Sequence, residues 1–255
     1  MLSNVKVTII TVCYNSQATI RDTIESVLNQ TYTNIEYIIV DGKSTDNTLN
    51  IIKEYESDFG NRLILISEPD KGIYDAMNKG IMKASGELIG IINSDDFYEY
   101  DAVQKIVDKY QGEKYCVLYG MERVLEKNEE KQVMILSHIF LKERMIAHPS
   151  CFISKETYLC FGMYDISHPS AADYDLMLRF YNSGKITFIP IYNLIANYRI
   201  GGMYSSIKGY LDSLKVRQEH GLMSKKMYIV SYLVAIIRDR IFKILRGKNE
   251  NNSTN

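Results

Sequence analysis

Glu87-Leu88-Ile89-Gly90-Ile91-Ile92-Asn93-Ser94-Asp95-Asp96 is an apolar run that ends on two adjacent carboxylates. As far as Ile92 it has the length and composition of a strand buried on both faces, as the interior strands of parallel sheets are. Open α/β sheets take their ligands beyond the carboxyl ends of their strands, which is where Asp95 and Asp96 fall. Neighbouring carboxylates repel one another unless something positive lies between or beside them. Hard oxygen donors suit Mg²⁺ or Mn²⁺, and such a cation carrying a phosphate group is the natural guest. Taken alone, an Asp-Asp pair is more often a surface turn that caps the next helix. Its company along the chain reverses those odds.

Before this run, β-branched stretches alternate with stretches of helical period. Val5 to Val12 reads as a strand. Ser16-Gln17-Ala18-Thr19 opens a helix with apolar Ile20, Ile24, Val27 and Leu28. Ile35 to Val40 is a second strand ending in Asp41-Gly42. Asp46 then caps a helix running through Leu49, Ile52 and Tyr55. Leu63 to Ile66 is a third strand and Ile73 to Ala84 a third helix. This alternation predicts right-handed βαβ crossovers and an α/β fold with a mostly parallel central sheet flanked by helices. After Asp101 the rhythm changes. A helix (Ala102 to Tyr110) and a strand near Cys116 to Tyr119 precede a hairpin, whose arms are Met121 to Leu125 and Val133 to Leu136 and whose charged tip is Glu126 to Lys131. An irregular stretch with His148-Pro149-Ser150 leads to a helix from Ala172 to Tyr181. Lys185 to Ile189 and Tyr192 to Tyr198 read as strands, and the chain is helical from about Ile207. The expected organisation is one α/β unit over 1–205, split near residue 100 into a nucleotide-binding-like half and a more irregular half. A helical tail over 206–248 and a disordered end over 249–255 follow.

The 255 residues, 46% of them hydrophobic, can bury a sizeable core. A net charge of −1 excludes the global basic field that nucleic-acid binders use. Cys13, Cys116, Cys151 and Cys160 form no CxxC pair, which argues against zinc and fits reduced thiols. The chain begins without a signal segment and contains no run of the roughly 18 apolar residues a span needs, so a cytoplasmic protein is expected.

Three strand ends bring polar groups to one edge: Thr11 to Asn15, Asp41 to Asp46, and Asn93 to Asp96. Neither GxGxxG nor GxxxxGK[ST] is present, which removes the dinucleotide fingerprint and the P-loop. A carboxylate after the second strand suits a base N–H or ribose O–H, although Asp41 is as readily a turn residue before Gly42.

At this point the motifs are recognisable. Val7 to Asn15, then Tyr37 to Thr48, then Ile73-Tyr74-Asp75-Ala76-Met77-Asn78-Lys79-Gly80-Ile81 with Ala84 to Glu87, then Asn93-Ser94-Asp95-Asp96, resemble the family 2 glycosyltransferases in the right order over about residues 5–205. The resemblance implies a GT-A fold, a nucleotide-diphospho-sugar donor (UDP- or GDP-linked), a divalent cation (Mn²⁺ or Mg²⁺) and inversion at the anomeric carbon. It implies that Thr11, Tyr14, Asn15, Asp41 and Ser44 line the nucleoside pocket and that Asp75 contacts base or ribose. It sets Asn93 and Ser94 in the donor motif, Asp95 at ribose or metal, and Asp96 as principal metal ligand. Ala172-Asp173-Tyr174-Asp175-Leu176-Met177-Leu178-Arg179 matches the family's Glu-Asp-x-Asp-Leu-x-Leu-Arg segment and aligns Asp173 with the general base. A base must be ionised, and the first turn of a helix favours that form. Asp175 would orient the site or cap a backbone donor.

Two departures stand out. Ala172 replaces the common Glu, and Gly201-Gly202 stands where many members carry a His that helps hold metal or diphosphate. A glycine pair lets backbone approach a phosphate closely. Arg199 is a candidate diphosphate contact, against a structural ion pair. His148 reads as a satisfied structural histidine. Tyr74, Tyr98, Tyr164 and Tyr174 include candidates for sugar stacking. Near the end, Met227 to Ile237 is apolar and is followed by Arg238, Arg240, Lys243, Arg246 and Lys248. That combination suits a helix lying on an anionic membrane surface, or one packed on the domain or a second subunit. The expected activity is transfer of one sugar to a glycan acceptor, polyprenyl-diphosphate-linked by the resemblance, in bacterial capsule, exopolysaccharide or lipopolysaccharide assembly. The rivals are a catalytically inactive glycan-binding scaffold and a nucleotidyltransferase.

Overall fold

The computed structural model describes residues 4–201 and 207–252, with the side chains of the last helix as far as Ile241. Gly202 to Ser205 and the side chains of Lys243, Arg246 and Lys248 therefore lie outside the described residues. The first half follows the alternation in the sequence: β1 (Val7–Cys13), α1 (Ile20–Leu28), β2 (Ile35–Asp41), α2 (Thr48–Glu54), α3 (Glu56–Phe59), β3 (Leu63–Ser67), α4 (Ile73–Lys83) and β4 (Leu88–Asn93). β1 lies between β2 and β4, β3 lies outside β2, and all these pairings are parallel. The three strands β1, β2 and β4 thus end side by side, and their polar tips share one edge.

The second half comprises β5 (Phe97–Tyr98), α5 (Ala102–Lys109), β6 (Cys116–Glu126), β7 (Glu129–Met134), β8 (Cys151–Ser154), α6 (Lys155–Phe161), α7 (Ala172–Ser183), β9 (Thr187–Arg199), α8 (Ile207–Glu219) and α9 (Lys225–Asn252). The sheet order is β3-β2-β1-β4-β8-β6-β9-β5, with β7 on the outer part of β6. β8 runs antiparallel to both β4 and β6, and β9 runs parallel to β6. β8 and α6 fall where the sequence suggests only an irregular stretch. Cys151-Phe152-Ile153-Ser154 is too short for a period of two to be read, and its strand form depends on the partners on either side. The two strands expected between Lys185 and Tyr198 are one, because Pro190 sits at a shift in register with β6 rather than ending the strand.

Helices cover both faces of the sheet. Strand alternation sends Val7, Ile9 and Cys13 to one face with α1, α2 and α5, and Ile10 and Val12 to the other with α4 and α7. On α4, Tyr74, Met77, Gly80 and Ile81 form the buried stripe. Gly80 lets the helix lie close on the sheet, since a Cβ there would stand 2.6 Å from Ile10 Cγ2.

The boundary expected at residue 205 does not set α8 apart. Val216 and Leu214 are buried, His168 bonds to Asp212 and Glu219, and His220 donates toward Asp175 at 2.8 Å. These contacts make α8 part of the same packed unit. α9 is different. Met227, Val230, Leu233, Val234, Ile237 and Ile241 are exposed along it, while Ala235 is buried. It runs on to Asn252, so 249–252 are helical rather than disordered; no proline or glycine after Gly247 interrupts the hydrogen-bond ladder. Among the described residues no helix is long and apolar enough to cross a membrane.

Candidate active site

A cavity of about 870 Å³ opens at the carboxyl end of β4. Asn93 and Asp95 form one side, Tyr74 and Asp173 a second, Glu122 on β6 a third, and Tyr210 and Arg217 of α8 a fourth. Elements distant in sequence thereby bring two expected site acids, Asp95 and Asp173, to one space.

Asp173 lies in the first turn of α7, half-buried, and no side-chain cap competes with it there. Its Oδ1 accepts from the Tyr74 hydroxyl at 3.0 Å and from the Tyr174 backbone N–H at 2.9 Å. Both bonds fix the carboxylate in place at the start of the helix. Tyr74 itself is pushed up by burial and by the charge of Asp173, so it stays a donor. Behind it Tyr74 stacks on Tyr164, whose hydroxyl bonds to His148 Nε2 at 2.7 Å. Burial lowers His148, which makes it the neutral structural histidine expected. Asp175 takes Arg179 Nε and His220 Nε2, each at 2.8 Å, and the rest of the Arg179 guanidinium bonds to the carbonyls of Phe161 and Met163. This cluster locks α7 and α8 together.

The acids after β4 take different positions from those expected. Asp96, expected as principal metal ligand, is fully buried, with Oδ1 on the Arg199 backbone N–H at 2.9 Å. Asp95 is the carboxylate that opens on the cavity. Adjacent residues in a turn point apart, so only one can face outward. Burial and the charge of Asp95 push Asp96 well up; burial also raises Asp95, with the Arg199 charge opposing. Arg199, the candidate diphosphate contact, lies outside the cavity lining. Its guanidinium bonds to the Asp95 carbonyl (2.9 Å) and Asp22 (2.6 Å) and lies 4.7 Å over the Phe97 ring, so it props the turn from outside the cavity.

Asp96 Oδ2 and Asn93 Oδ1 are buried without a hydrogen-bond partner. With the Asp95 carboxylate beside them they form a set of hard oxygen acceptors. Among the described residues no three His, Cys, Asp or Glu side chains gather to cage a metal. The set therefore fits Mg²⁺ or Mn²⁺ held by one or two protein oxygens, the remaining positions falling to phosphate and water.

The nucleoside residues expected around the β1 and β2 tips divide. Thr11 is fully buried and accepts from the Tyr37 hydroxyl at 3.0 Å, because strand parity puts it on the core face with Ile9 and Cys13. Asp41 is also fully buried, accepting from Ser44 N–H and from Ser67 Oγ at 2.7 Å. It shapes the loop rather than lining a pocket. Tyr14 and Asn15 are exposed, and Ser44 is half-buried. The two loops are zipped together: Asn15 N–H donates to Ser44 Oγ (2.8 Å) and Thr45 N–H to Asn15 Oδ1 (2.8 Å). Ser94 joins them through Ser16 Oγ at 2.8 Å. Asp46 accepts from the Thr48 N–H at 3.0 Å from one residue ahead of the N-cap, which is Asn47 rather than the expected Asp46. Asp75 accepts from Lys71 N–H and pairs with Lys79, which makes it a helix-start residue beside the site. Tyr98 and Tyr164 belong to the core, whereas Tyr74 and Tyr174 line the cavity.

Glu122 and Arg217 are cavity residues that the motifs do not include. The visible signal for Glu122 is the one acid in the strand pattern of Cys116 to Leu125, where Arg123 is the other charge. Arg217 carries none, since an arginine on an amphipathic helix is ordinary.

This is an α/β site with polar loops on one side of a carboxylate-tipped strand and an acid-bearing cavity on the other, the arrangement of a GT-A glycosyltransferase. The model of glycosyl transferase family 2 matches residues 8–164, and the chain belongs to that family. It is 27% identical over 213 residues to a PGL/p-HBAD biosynthesis glycosyltransferase of Mycobacterium bovis, covering 82% of this chain and 83% of that protein. It is 31% identical over 201 residues to the chondroitin synthase of Escherichia coli, covering 76% of this chain and 29% of that longer one. Among solved structures, S. aureus TarS 1-349 in complex with UDP superimposes with a TM-score of 0.65 at 17% identity, over 86% of this chain and 66% of that one. A mannosyltransferase from Pyrobaculum calidifontis in complex with GDP-Man and Mn²⁺ gives 0.66 at 15%, over 86% and 64%. The chain thus spans just under two thirds of those two crystallised chains, and at such identities the likeness is one of fold.

Proposed function

We propose that this glycosyltransferase moves one sugar from a nucleotide-diphospho-sugar to a hydroxyl of a glycan acceptor, with inversion, using Asp173 as base. The observation that carries this reading is the shared cavity: Asp95 and Asp173 open onto one space from β4 and α7. Asp173 accepts the proton of the acceptor hydroxyl as its oxygen attacks the anomeric carbon, and the Tyr74 hydroxyl holds the carboxylate in place. The donor's nucleoside end lies over the Tyr14, Asn15 and Ser44 loops, with Tyr14 exposed to take a base face. Asp95, supported by Asn93 and Asp96, would hold a divalent cation. Such a cation supplies charge neutralisation for the departing diphosphate. Asp96 and Arg199 position Asp95 from behind the turn. The relatives named above include enzymes of glycan biosynthesis, which supports a cell-surface glycan as acceptor. The exposed apolar residues of α9, followed by cations, support an acceptor carried on a membrane polyprenyl diphosphate and peripheral contact of the chain with that surface.

A thermal-shift panel of UDP, GDP, CDP and dTDP, each with and without Mn²⁺, tests the reading. Ligand bound to the native state raises the melting temperature by mass action. One diphosphate should give a metal-dependent, concentration-dependent rise. No rise with any of the four removes the donor site and leaves a scaffold.

A further inference from the structure

Glu122 is the feature that the proposed chemistry leaves unused. It sits in β6, is 6% exposed, and faces the cavity that holds Asp95 and Asp173. It makes no hydrogen bond or ion pair with any described residue. Its neighbour Arg123, on the opposite face of the strand, bonds to Glu99, Glu130 and Asn197, so the strand is well supplied with partners where structure alone is at stake. A buried, unpaired carboxyl is costly to a fold, and such violations gather where function demands them.

The backbone is built to aim it. The register of β6 against β9 shifts on both sides of Met121, a bulge that re-sets which side chains face inward. Gly120 permits that bulge, since a Cβ there would lie 2.2 Å from Ile195 Cγ1. Beyond the bulge, Glu122 pairs with Met134 on β7 and Ala196 on β9. Val124, Met134 and Tyr198 give this wall apolar and aromatic surface, and Gln132 also lines it. The wall stands on the β8-β6-β9 side of β4, away from the loops of β1 and β2.

We propose that Glu122 recognises the acceptor: its carboxylate accepts hydrogen bonds from ring hydroxyls of the acceptor sugar, seated on the β6–β7 wall with its reacting hydroxyl toward Asp173. This rests on the donor and base assignments above. The chemistry fits, because a carboxylate with free lone pairs accepts from vicinal hydroxyls while apolar neighbours cover the sugar's C–H face. A role at the donor's nucleoside would need the acid near the β1 and β2 loops, whereas it lies in the wall formed by β6 and β7.

The test uses the full chain with Glu122→Gln and Glu122→Ala, and a panel of methyl and octyl glycosides of common hexoses and N-acetylhexosamines as acceptors. Four readouts are needed: melting temperature, the Mn²⁺-nucleotide thermal shift, hydrolysis of the nucleotide sugar by water, and KM and kcat for transfer. Both variants should melt no lower than wild type, with nucleotide shift and hydrolysis within about twofold. The acceptor KM should rise at least about tenfold in Glu122→Ala, and less in Glu122→Gln, whose amide oxygen still accepts. An unchanged acceptor KM overturns the assignment, as does a fall in hydrolysis matching the fall in transfer, which would make Glu122 a donor residue. A lower melting temperature in both variants would make it a structural acid. A wild-type chain that engages none of the glycosides with nucleotide and Mn²⁺ present also counts against it. Absence of any nucleotide shift in the wild type instead defeats the proposed function itself.

Discussion

Glu36 near the amino end of β2 and Glu122 within β6 are both buried on the same sheet, and their surroundings are opposite. Glu36 accepts from Lys6 Nζ (2.9 Å), Thr8 Oγ1 (2.7 Å), and the Ser85 N–H (2.8 Å) and hydroxyl (2.5 Å). Burial works to raise it, but those donors prevail and hold it at about 2. Glu122 has burial and no donor among the described residues, and is pushed up to about 7. The first lies at the end of the parallel strands remote from the cavity, where it ties β1, β2 and the start of β4 together. The second lies in the cavity wall. An acid that serves the fold is surrounded by donors from the protein, whereas an acid that serves a substrate keeps its lone pairs free. Asp95 and Asp173 fall between the two, anchored on one side and open on the other.

The open class is tested hardest at Asp173. Asp173→Asn should lower kcat for transfer by about 10²- to 10⁴-fold while the nucleotide thermal shift stays within twofold. Substantial remaining turnover would remove it as base. The anchored class is tested by Glu36→Ala, which strands Lys6 and Ser85 and should destabilise by about 3 kcal/mol. In a chain of this size that lowers the melting temperature by roughly 6 to 10 °C. Transfer measured well below the transition should be retained; an unchanged melting temperature would break the contrast.

Two smaller effects sharpen it through pH. Glu36 has a folded pKa below its unfolded value, so its contribution is present above about 4.5 and is lost as pH falls toward 2. Denaturant unfolding at pH 6 and pH 3 should show the gap between wild type and Glu36→Gln narrowing at the lower pH. Glu122 has a folded pKa above its unfolded value, so stability is lost as pH rises from about 4.5 through 7. Glu122→Gln should therefore stabilise by about 1 kcal/mol at pH 8, with little gain at pH 5. A gain equal at both pH values would show that ionisation of Glu122 is not the cause.

Much of this was legible in the chain. The β1, β2 and β4 runs are mostly apolar and end in polar residues, so their burial and their shared edge follow from composition and crossover handedness. Asp95 and Asp173 were legible because they sit in motifs. The ordering within Asp95-Asp96 was not, because a turn decides which of two adjacent carboxylates faces out. The surroundings of Thr11 and Arg199 were not legible for the same kind of reason. Strand parity sends Thr11 inward, and Asp22, 177 residues away in sequence, draws the Arg199 guanidinium to the back of the turn.

The sequence by itself determined the family, the α/β alternation, and the acids at the end of β4 and the start of α7, because local period and residue type carry those. Only the tertiary structure decided that β8 threads between β4 and β6, that α8 walls the cavity, and that Glu122 stands in it without a partner among the described residues. Those outcomes depend on which distant side chains arrive, or fail to arrive, beside a given residue, and no local pattern encodes that.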